Sequence, residues 1–160
     1  MFDALTGRRL AEIDIDAHPD ELAFGAGSLW AMDSLANEIV RVDPEQRRVV
    51  DRITVTGNLK DIAAGDGGVW VLDDVAGIVT QIDPEAATPR APLAVGPSPS
   101  AITVGLGSAW VGDAEDENLY RIDPALGRVT PIEIGAPVAT LAVDDATGTL
   151  WLGIRASATD

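Results

Sequence analysis

The stretch that decides the fold is ELAFGAGSLWAMD at residues 21–33, because the chain repeats it. Near-copies stand at 61–73 (DIAAGDGGVWVLD) and 101–113 (AITVGLGSAWVGD), and a looser version, LAVDDATGTLWLG, occupies 141–153. The four copies place their tryptophans at nearly equal intervals along the chain: Trp30, Trp70, Trp110 and Trp151. A fixed period of about 40 residues is the signature of a repeat architecture.

Each unit divides into four short, alternating segments that are separated by turn residues. In the second unit these segments are DIAAG, GVWVLD, GIVTQID and RAPLAV. Segments of this length, rich in β-branched residues and bounded by Gly, Asp and Pro, are typical of strands. Four antiparallel strands in about 40 residues make a blade of a β-propeller, with strands a to d running outward from the axis. The sequence therefore predicts an all-β fold, a single propeller domain.

The repeated residues have structural roles in this prediction. The glycines of GAGS, GDGG and GLGS permit the positive φ angles of a tight a–b hairpin. The tryptophan of strand b provides apolar area between neighbouring blades. A second column of aspartates, with the same period, ends strand c, three of them followed by the proline of a type I turn: Asp3, Asp43, Asp83 and Asp123.

The repeat resembles the bacterial YVTN-type and streptogramin-lyase-like propellers. Their blades carry a P-x-x-I-A-x-G-x-G-x-x-W-V core and an R-I-D-P-x-T-G-x-V hairpin. The matching stretches are PSAITVGLGSAWV at 99–111, YRIDPALGRV at 120–129 and FDALTGRRL at 2–10. The resemblance covers nearly the whole chain and implies the fold, whereas such blades serve many unrelated functions.

The termini predict a blade split between the two ends of the chain. Residues 1–20 provide outer strands, 21–60, 61–100 and 101–139 are complete blades, and 140–160 provide inner strands. Three arrangements remain open: one chain closes a four-bladed ring, two chains form a homodimeric eight-bladed ring, or the chain is an engineered or excised fragment of a larger propeller. The dimer is favoured, because blades of this length usually build wide rings.

Composition excludes several classes of partner. The net charge of −15, from 26 acidic and 11 basic residues, repels phosphate backbones and anionic lipid, so neither nucleic acid nor membrane is expected. The chain has no cysteine and therefore no disulfide and no thiolate metal site. Its N-terminus lacks a signal-peptide pattern, which leaves a cytoplasmic protein or an exported domain as alternatives for localisation.

Functional residues are expected where the repeats differ, in the d–a and b–c loops on one face of the ring. The d–a loops read DAHPDE, TGNLKD, GPSPSA and GAPVAT. Aligned by column, they bring together six candidate ligand-binding residues: His18, Asp20, Asn58, Lys60, Ser98 and Ser100.

His18 is the one imidazole and a weak candidate for acid–base catalysis. The streptogramin lyases that the repeat resembles use His and Glu with a magnesium ion. That chemistry requires more than one histidine, so the activity is not carried over to this chain. An exposed loop histidine before Pro19 is the simpler interpretation.

The loop DAEDEN at 113–118 is a weak candidate for a Ca²⁺ or Mg²⁺ site, through Asp113, Glu115 and Asp116. It lacks the glycine and the terminal glutamate of an EF-hand loop, and a solvated acidic loop is commoner. No cofactor is expected.

The sequence thus predicts a non-enzymatic propeller that binds a protein or small ligand through its loops. A metal-assisted lyase or hydrolase is the alternative.

Overall fold

The structure is a computed structural model that describes residues 1–65 and 67–155, and all of its regular secondary structure is β. Sheet 1 contains β1 (Glu21–Gly25), β2 (Ser28–Asp33), β3 (Glu38–Asp43) and β4 (Arg48–Thr54). Sheet 2 contains β5 (Leu59–Gly65), β6 (Gly68–Asp73), β7 (Ile78–Asp83), β8 (Thr88–Pro89) and β9 (Leu93–Ala94). Sheet 3 contains β10 (Pro99–Gly105), β11 (Ser108–Asp113), β12 (Asn118–Asp123) and β13 (Arg128–Glu133). Sheet 4 contains β14 (Val138–Asp144) and β15 (Thr149–Ile154).

The strands of each sheet follow one another in chain order and are antiparallel. The first strands β1, β5, β10 and β14 lie side by side, so the four sheets are arranged in a row around a common inner edge. Among the described residues, no helix is long and apolar enough to cross a membrane. The sequence prediction of an all-β fold built from four-stranded antiparallel sheets is confirmed.

The core consists of apolar layers between neighbouring sheets. Trp30 of sheet 1 is fully buried in a cluster with four residues of sheet 2: Ile62, Val69, Val71 and Ile82. Trp70 of sheet 2 is fully buried in a cluster with the residues at the equivalent positions of sheet 3: Ile102, Ala109, Val111 and Ile122. Trp30 and Trp70 thus each pack onto the next sheet, and the same set of positions receives them.

The aspartates that end strand c cap their own turns. Asp43, Asp83 and Asp123 each accept two backbone amides through Oδ1, from the residues two and three positions later. Asp3 accepts the amides of Leu5 and Thr6 in the same way. This side-chain cap is the reason that Asp is repeated at the position before the turn.

The first glycine of each a–b turn has a different role from the one that its motif indicates. Gly27 and Gly107 adopt the predicted positive φ angles, whereas Gly25 and Gly105 do not. A Cβ on Gly25 would overlap the backbone of Ala64, and one on Gly105 would overlap the side chain of Val143. Glycine is required there because the inner edges of successive sheets approach closely.

The outer strand of sheet 2 is interrupted. The sequence predicts one strand over RAPLAV at 90–95, but the structure has two short strands, β8 and β9, which both pair with β7. Pro92 lies between them and has no amide hydrogen to donate to a ladder. Val95, which follows β9, is buried against the next sheet despite the interruption.

Residues 1–20 pack on sheet 1 without forming a strand. The sequence predicts strand d over Arg8–Ile15, whereas the structure has one isolated bridge there, between Phe2 and Arg9. Ile13 and Ile15 nevertheless pack against Val42 and its neighbours, as the equivalent Ile53 and Val55 of the next repeat pack against sheet 2. The segment keeps the packing of an outer strand, and no strand in residues 1–65 and 67–155 forms a ladder with it.

Trp70 tests the packing between sheets. Trp70→Ala should lower the free energy of unfolding by about 3–5 kcal/mol, because a fully buried side chain is lost and a cavity remains. Leu126→Ala, at a side chain that is exposed on a turn of the adjacent sheet, should change it by less than about 0.5 kcal/mol. Urea unfolding measures both. A loss below about 1 kcal/mol for Trp70→Ala would contradict the packing described here.

Candidate functional site

Two sets of loops meet along one face of sheets 1 to 3, which is named the loop face. One set leads into the first strands (residues 16–20, 55–58 and 95–98), and the other joins the second strand to the third (34–37, 74–77 and 114–117). Backbone hydrogen bonds join the two sets, as from Ala114 N to Ser98 O at 2.9 Å. These are the d–a and b–c loops in which the sequence places its candidate residues.

A buried aspartate at the end of the second strand holds each pair of loops together. Asp33, Asp73 and Asp113 are 6%, 6% and 0% exposed. Their Oδ2 atoms accept the backbone amides of the incoming loop, from His18 at 2.9 Å, Asn58 at 2.8 Å and Ser98 at 2.8 Å. Their Oδ1 atoms accept amides of the other loop, from Ala36 at 3.0 Å, Ala76 at 2.8 Å and Asp116 at 2.9 Å. One carboxylate therefore fixes both loops in each sheet.

Sequence reasoning did not assign this role to the three aspartates and named only Asp113, as a weak metal ligand, although the signal was present. Each is the last residue of a repeated phrase, and the three recur at equal intervals. The corresponding residue of sheet 4 is Ile154, which cannot accept an amide through its side chain. The missing acceptor marks sheet 4 as different from the other three.

The hydrogen bonds that Asp33 accepts change its ionisation. The backbone amide of His18, followed by that of Ala36, lowers the pKa of the Asp33 carboxyl below its ordinary value. Because the folded-state pKa is depressed, the stability that Asp33 contributes is present above the unfolded-state pKa. That contribution is lost as the pH falls through the folded-state value.

The six candidate ligand-binding residues lie on or beside the loop face but do not form one cluster of side chains. His18, Asp20, Asn58 and Lys60 are exposed, whereas Ser98 and Ser100 are half-buried. Asp20 accepts hydrogen bonds from the backbone and hydroxyl of Ser34, and Asn58 donates to Asp74 at 2.7 Å. Their polar groups are thus engaged mainly within their own sheet.

Ser100 and Asp61 form hydrogen bonds between neighbouring sheets at the inner edge. The Ser100 hydroxyl lies 2.5 Å from the carbonyl oxygen of Val138 in sheet 4. The Asp61 carboxylate of sheet 2 accepts the amide of Ile102 in sheet 3 at 3.0 Å. Burial raises the pKa of Asp61, so its ionised form is disfavoured in the folded protein. Both residues have structural partners across the sheet boundaries.

The acidic loop at 113–118 is ordered by its own hydrogen bonds. Asp113 caps the loop, and Asp116 accepts the amide of Asn118 at 3.0 Å and the hydroxyl of Tyr120. Burial, together with the hydrogen bond to Asp116, raises the pKa of Tyr120 to about 12. Glu115 is exposed. In residues 1–65 and 67–155, no group of three or more His, Asp or Glu side chains is placed to hold a metal ion. The weak Ca²⁺ or Mg²⁺ site stays a prediction.

The tips of the b–c loops carry exposed side chains that differ between sheets. Leu35 of sheet 1 is 94% exposed and Val75 of sheet 2 is 77% exposed, while Glu115 occupies this position in sheet 3. Cavities of about 440 and 340 Å³ lie elsewhere, among the turns on the opposite face and at the inner edge. Their lining residues include Pro84, Arg90 and Leu106.

The buried aspartates can be tested at Asp73, which accepts amides from both loops of its sheet. Asp73→Ala leaves these amides without their acceptor and should destabilise the protein by about 2–3 kcal/mol. It should also increase hydrogen exchange at Asn58 and Ala76 together. Asp74→Ala, at the next residue, should change stability by less than about 1 kcal/mol. Unchanged exchange in Asp73→Ala would show that the carboxylate does not hold the loops.

No known family model matches the sequence, and no curated protein matches it either. Solved structures do match. The hydrazine synthase of Kuenenia stuttgartiensis has a TM-score of 0.72 at 15% identity, over 82% of this chain and 40% of its own. The virginiamycin B lyase of Staphylococcus aureus has a TM-score of 0.67 at 19% identity, over 87% and 50%. The Pan2 WD40 domain of Neurospora crassa has a TM-score of 0.65 at 12% identity, over 87% and 44%.

These identities are low, so the likeness shows the fold alone. WD40 repeats form β-propellers, whose blades are four-stranded antiparallel sheets like sheets 1 and 3. The chain spans half or less of the length of each matched structure. The resemblance to streptogramin-lyase-like propellers is confirmed at this level: the chain has a β-propeller fold similar to that of the streptogramin B lyases.

Proposed function

We propose that this protein is a non-enzymatic β-propeller scaffold that recognises another protein through its loop face. The observation that carries the proposal is the repeated buried aspartate, which fixes the two loops of sheets 1 to 3 in the same way. A rigid framework that carries variable exposed side chains is the usual construction of a recognition surface.

The exposed residues favour a protein over a small molecule as the ligand. Leu35 and Val75 are exposed apolar side chains on the b–c loops of two neighbouring sheets, and the exposed Lys60 beside the loop face adds a positive charge to a strongly acidic chain. Exposed apolar side chains surrounded by polar ones are typical of protein-binding surfaces. Small ligands prefer concave pockets, and the cavities of about 440 and 340 Å³ are lined by other residues.

A selection from a peptide library displayed on phage tests which surface recognises ligands. The selected peptides should bind the wild-type chain, and Leu35→Glu or Val75→Glu should weaken binding at least about tenfold, a loss of about 1.4 kcal/mol. Leu126→Glu is the matched control, because Leu126 is similarly exposed but lies on a turn of the opposite face. Equal affinity for all three variants would contradict the loop face as the recognition surface.

The metal-assisted lyase is the second candidate function, favoured by the fold shared with the virginiamycin B lyase. His18 is exposed on the loop face and is the one histidine of the chain. Incubation of the protein with virginiamycin B and Mg²⁺ decides between the two candidates. Turnover of virginiamycin B by the wild-type protein that is lost in His18→Ala would show that the protein is an enzyme and not a scaffold.

A further inference from the structure

The two ends of the row of sheets expose surfaces whose equivalents are buried between sheets 1 and 2 and between sheets 2 and 3. Sheet 1 presents a groove, here named the edge groove, that is formed by Leu22, Phe24, Leu29, Ala31 and Val42 with Ile13 and Ile15 at its side. Its volume is about 470 Å³, and Leu22 and Phe24 are 60% and 68% exposed. At the other end of the row, Trp151 of sheet 4 is 64% exposed.

The repeat identifies what the edge groove is shaped to receive. Four of its residues, Leu22, Leu29, Ala31 and Val42, are the first-repeat equivalents of the residues of sheet 2 that bury Trp30. The same positions in the next repeat are the residues of sheet 3 that bury Trp70. The groove is therefore a further copy of the surface that covers Trp30 and Trp70.

Trp151 is the matching side chain. It lies opposite Ala142 in the hairpin β14–β15, as Trp30 lies opposite Ala23 and Trp70 opposite Ala63. The other face of this hairpin packs toward sheet 3, with Val138 fully buried. Trp151 thus points away from its own row of sheets, as Trp30 does from sheet 1 toward sheet 2.

A polar contact between neighbouring sheets is incomplete, among the described residues, at the boundary between sheets 3 and 4. Arg41 donates across the gap between sheets to the carbonyl oxygen of Pro84 at 2.7 Å, and Gln81 donates to that of Pro124 at 3.2 Å. Arg121 has the corresponding position in sheet 3. It stacks on Trp110 and donates to Ser108 as Arg41 does to Trp30 and Ser28, yet it is exposed.

Among the described residues no carbonyl of sheet 4 accepts Arg121, but a turn of the required form lies at the opposite end of the row. The turn at residues 3–7 has the same capped form as the turns that contain Pro84 and Pro124, with Asp3 accepting two amides. Ala4 occupies the position of the two prolines. The carbonyl of Ala4 therefore occupies the sequence position of the acceptor that Arg121 would need.

We infer that two copies of this chain associate head to tail, with the β14–β15 hairpin of each copy seated in the edge groove of the other. Trp151 of one copy covers Leu22, Leu29 and Val42 of its partner, beside the segment at residues 1–15. Each such contact makes one composite four-stranded blade, and two identical contacts close a two-fold ring. Because the contact uses the edges of the row rather than the loop face, it does not depend on the proposed function.

Light scattering on purified chain tests the association. The wild-type protein should have about twice the 16.7 kDa mass of one chain. Trp151→Asp and Leu22→Asp should each be monomeric and folded, since both residues are exposed within one chain and the charge would be buried only in the dimer. Val75→Asp, at an equally exposed apolar residue of the loop face, should remain dimeric.

A mixing experiment separates this contact from other modes of association. Equimolar Trp151→Asp and Leu22→Asp should form a dimer with one intact contact, because one chain retains the groove and the other retains the tryptophan. The second contact would oppose two carboxylates and stays open, so the mixture should associate more weakly than wild type but more strongly than either variant alone. A mixture that stays monomeric would overturn the inference. A monomeric wild type would overturn it too, and so would a ladder of higher masses, because the ring would then not close. Loss of peptide binding in Val75→Asp with an intact dimer would leave the inference standing.

Discussion

The structure depends on the burial of a strand-b tryptophan of one sheet against the next sheet, as at Trp30 and Trp70. A tryptophan removes a large apolar area from water, and the four positions that receive it recur in each repeat. The close approach of the inner edges at Gly25 and Gly105 and the donation from Arg41 to Pro84 act at the same boundaries. Stability is therefore distributed over contacts between neighbouring sheets. Both apolar faces of a sheet are covered only where the sheet has a neighbour on each side.

This dependence explains the contrast between the middle and the ends of the chain. Trp30 and Trp70 are fully buried, Trp110 is half-buried beside the two-stranded sheet 4, and Trp151 is exposed. The loop face is organised differently. There, buried aspartates rather than apolar contacts fix the backbone, so the exposed tips can vary without disturbing the layers between sheets. The framework and the recognition surface are thus physically separate.

Much of the fold could be predicted from the sequence, because the regular period of the repeat and the alternation within each unit both have direct physical causes. Two features could not be predicted from the sequence, because both depend on strands that lie outside the segment itself. The role of Gly25 depends on a neighbouring sheet, and the state of Arg8–Ile15 depends on absent partner strands. The shared role of Asp33, Asp73 and Asp113 was accessible but missed, because their partners lie upstream in loops of dissimilar sequence, and Asp113 was predicted only as a weak metal ligand. The six loop-face candidates stay predictions.

The central claim is that each end of the row is completed by the opposite end of a second copy. Hydrogen exchange measured over a range of protein concentrations tests it most directly, since a bimolecular contact protects amides more as concentration rises. The account predicts that protection of β15 and of residues 8–15 increases together with concentration, while that of β6 stays constant. Protection at both ends that is independent of concentration would contradict it.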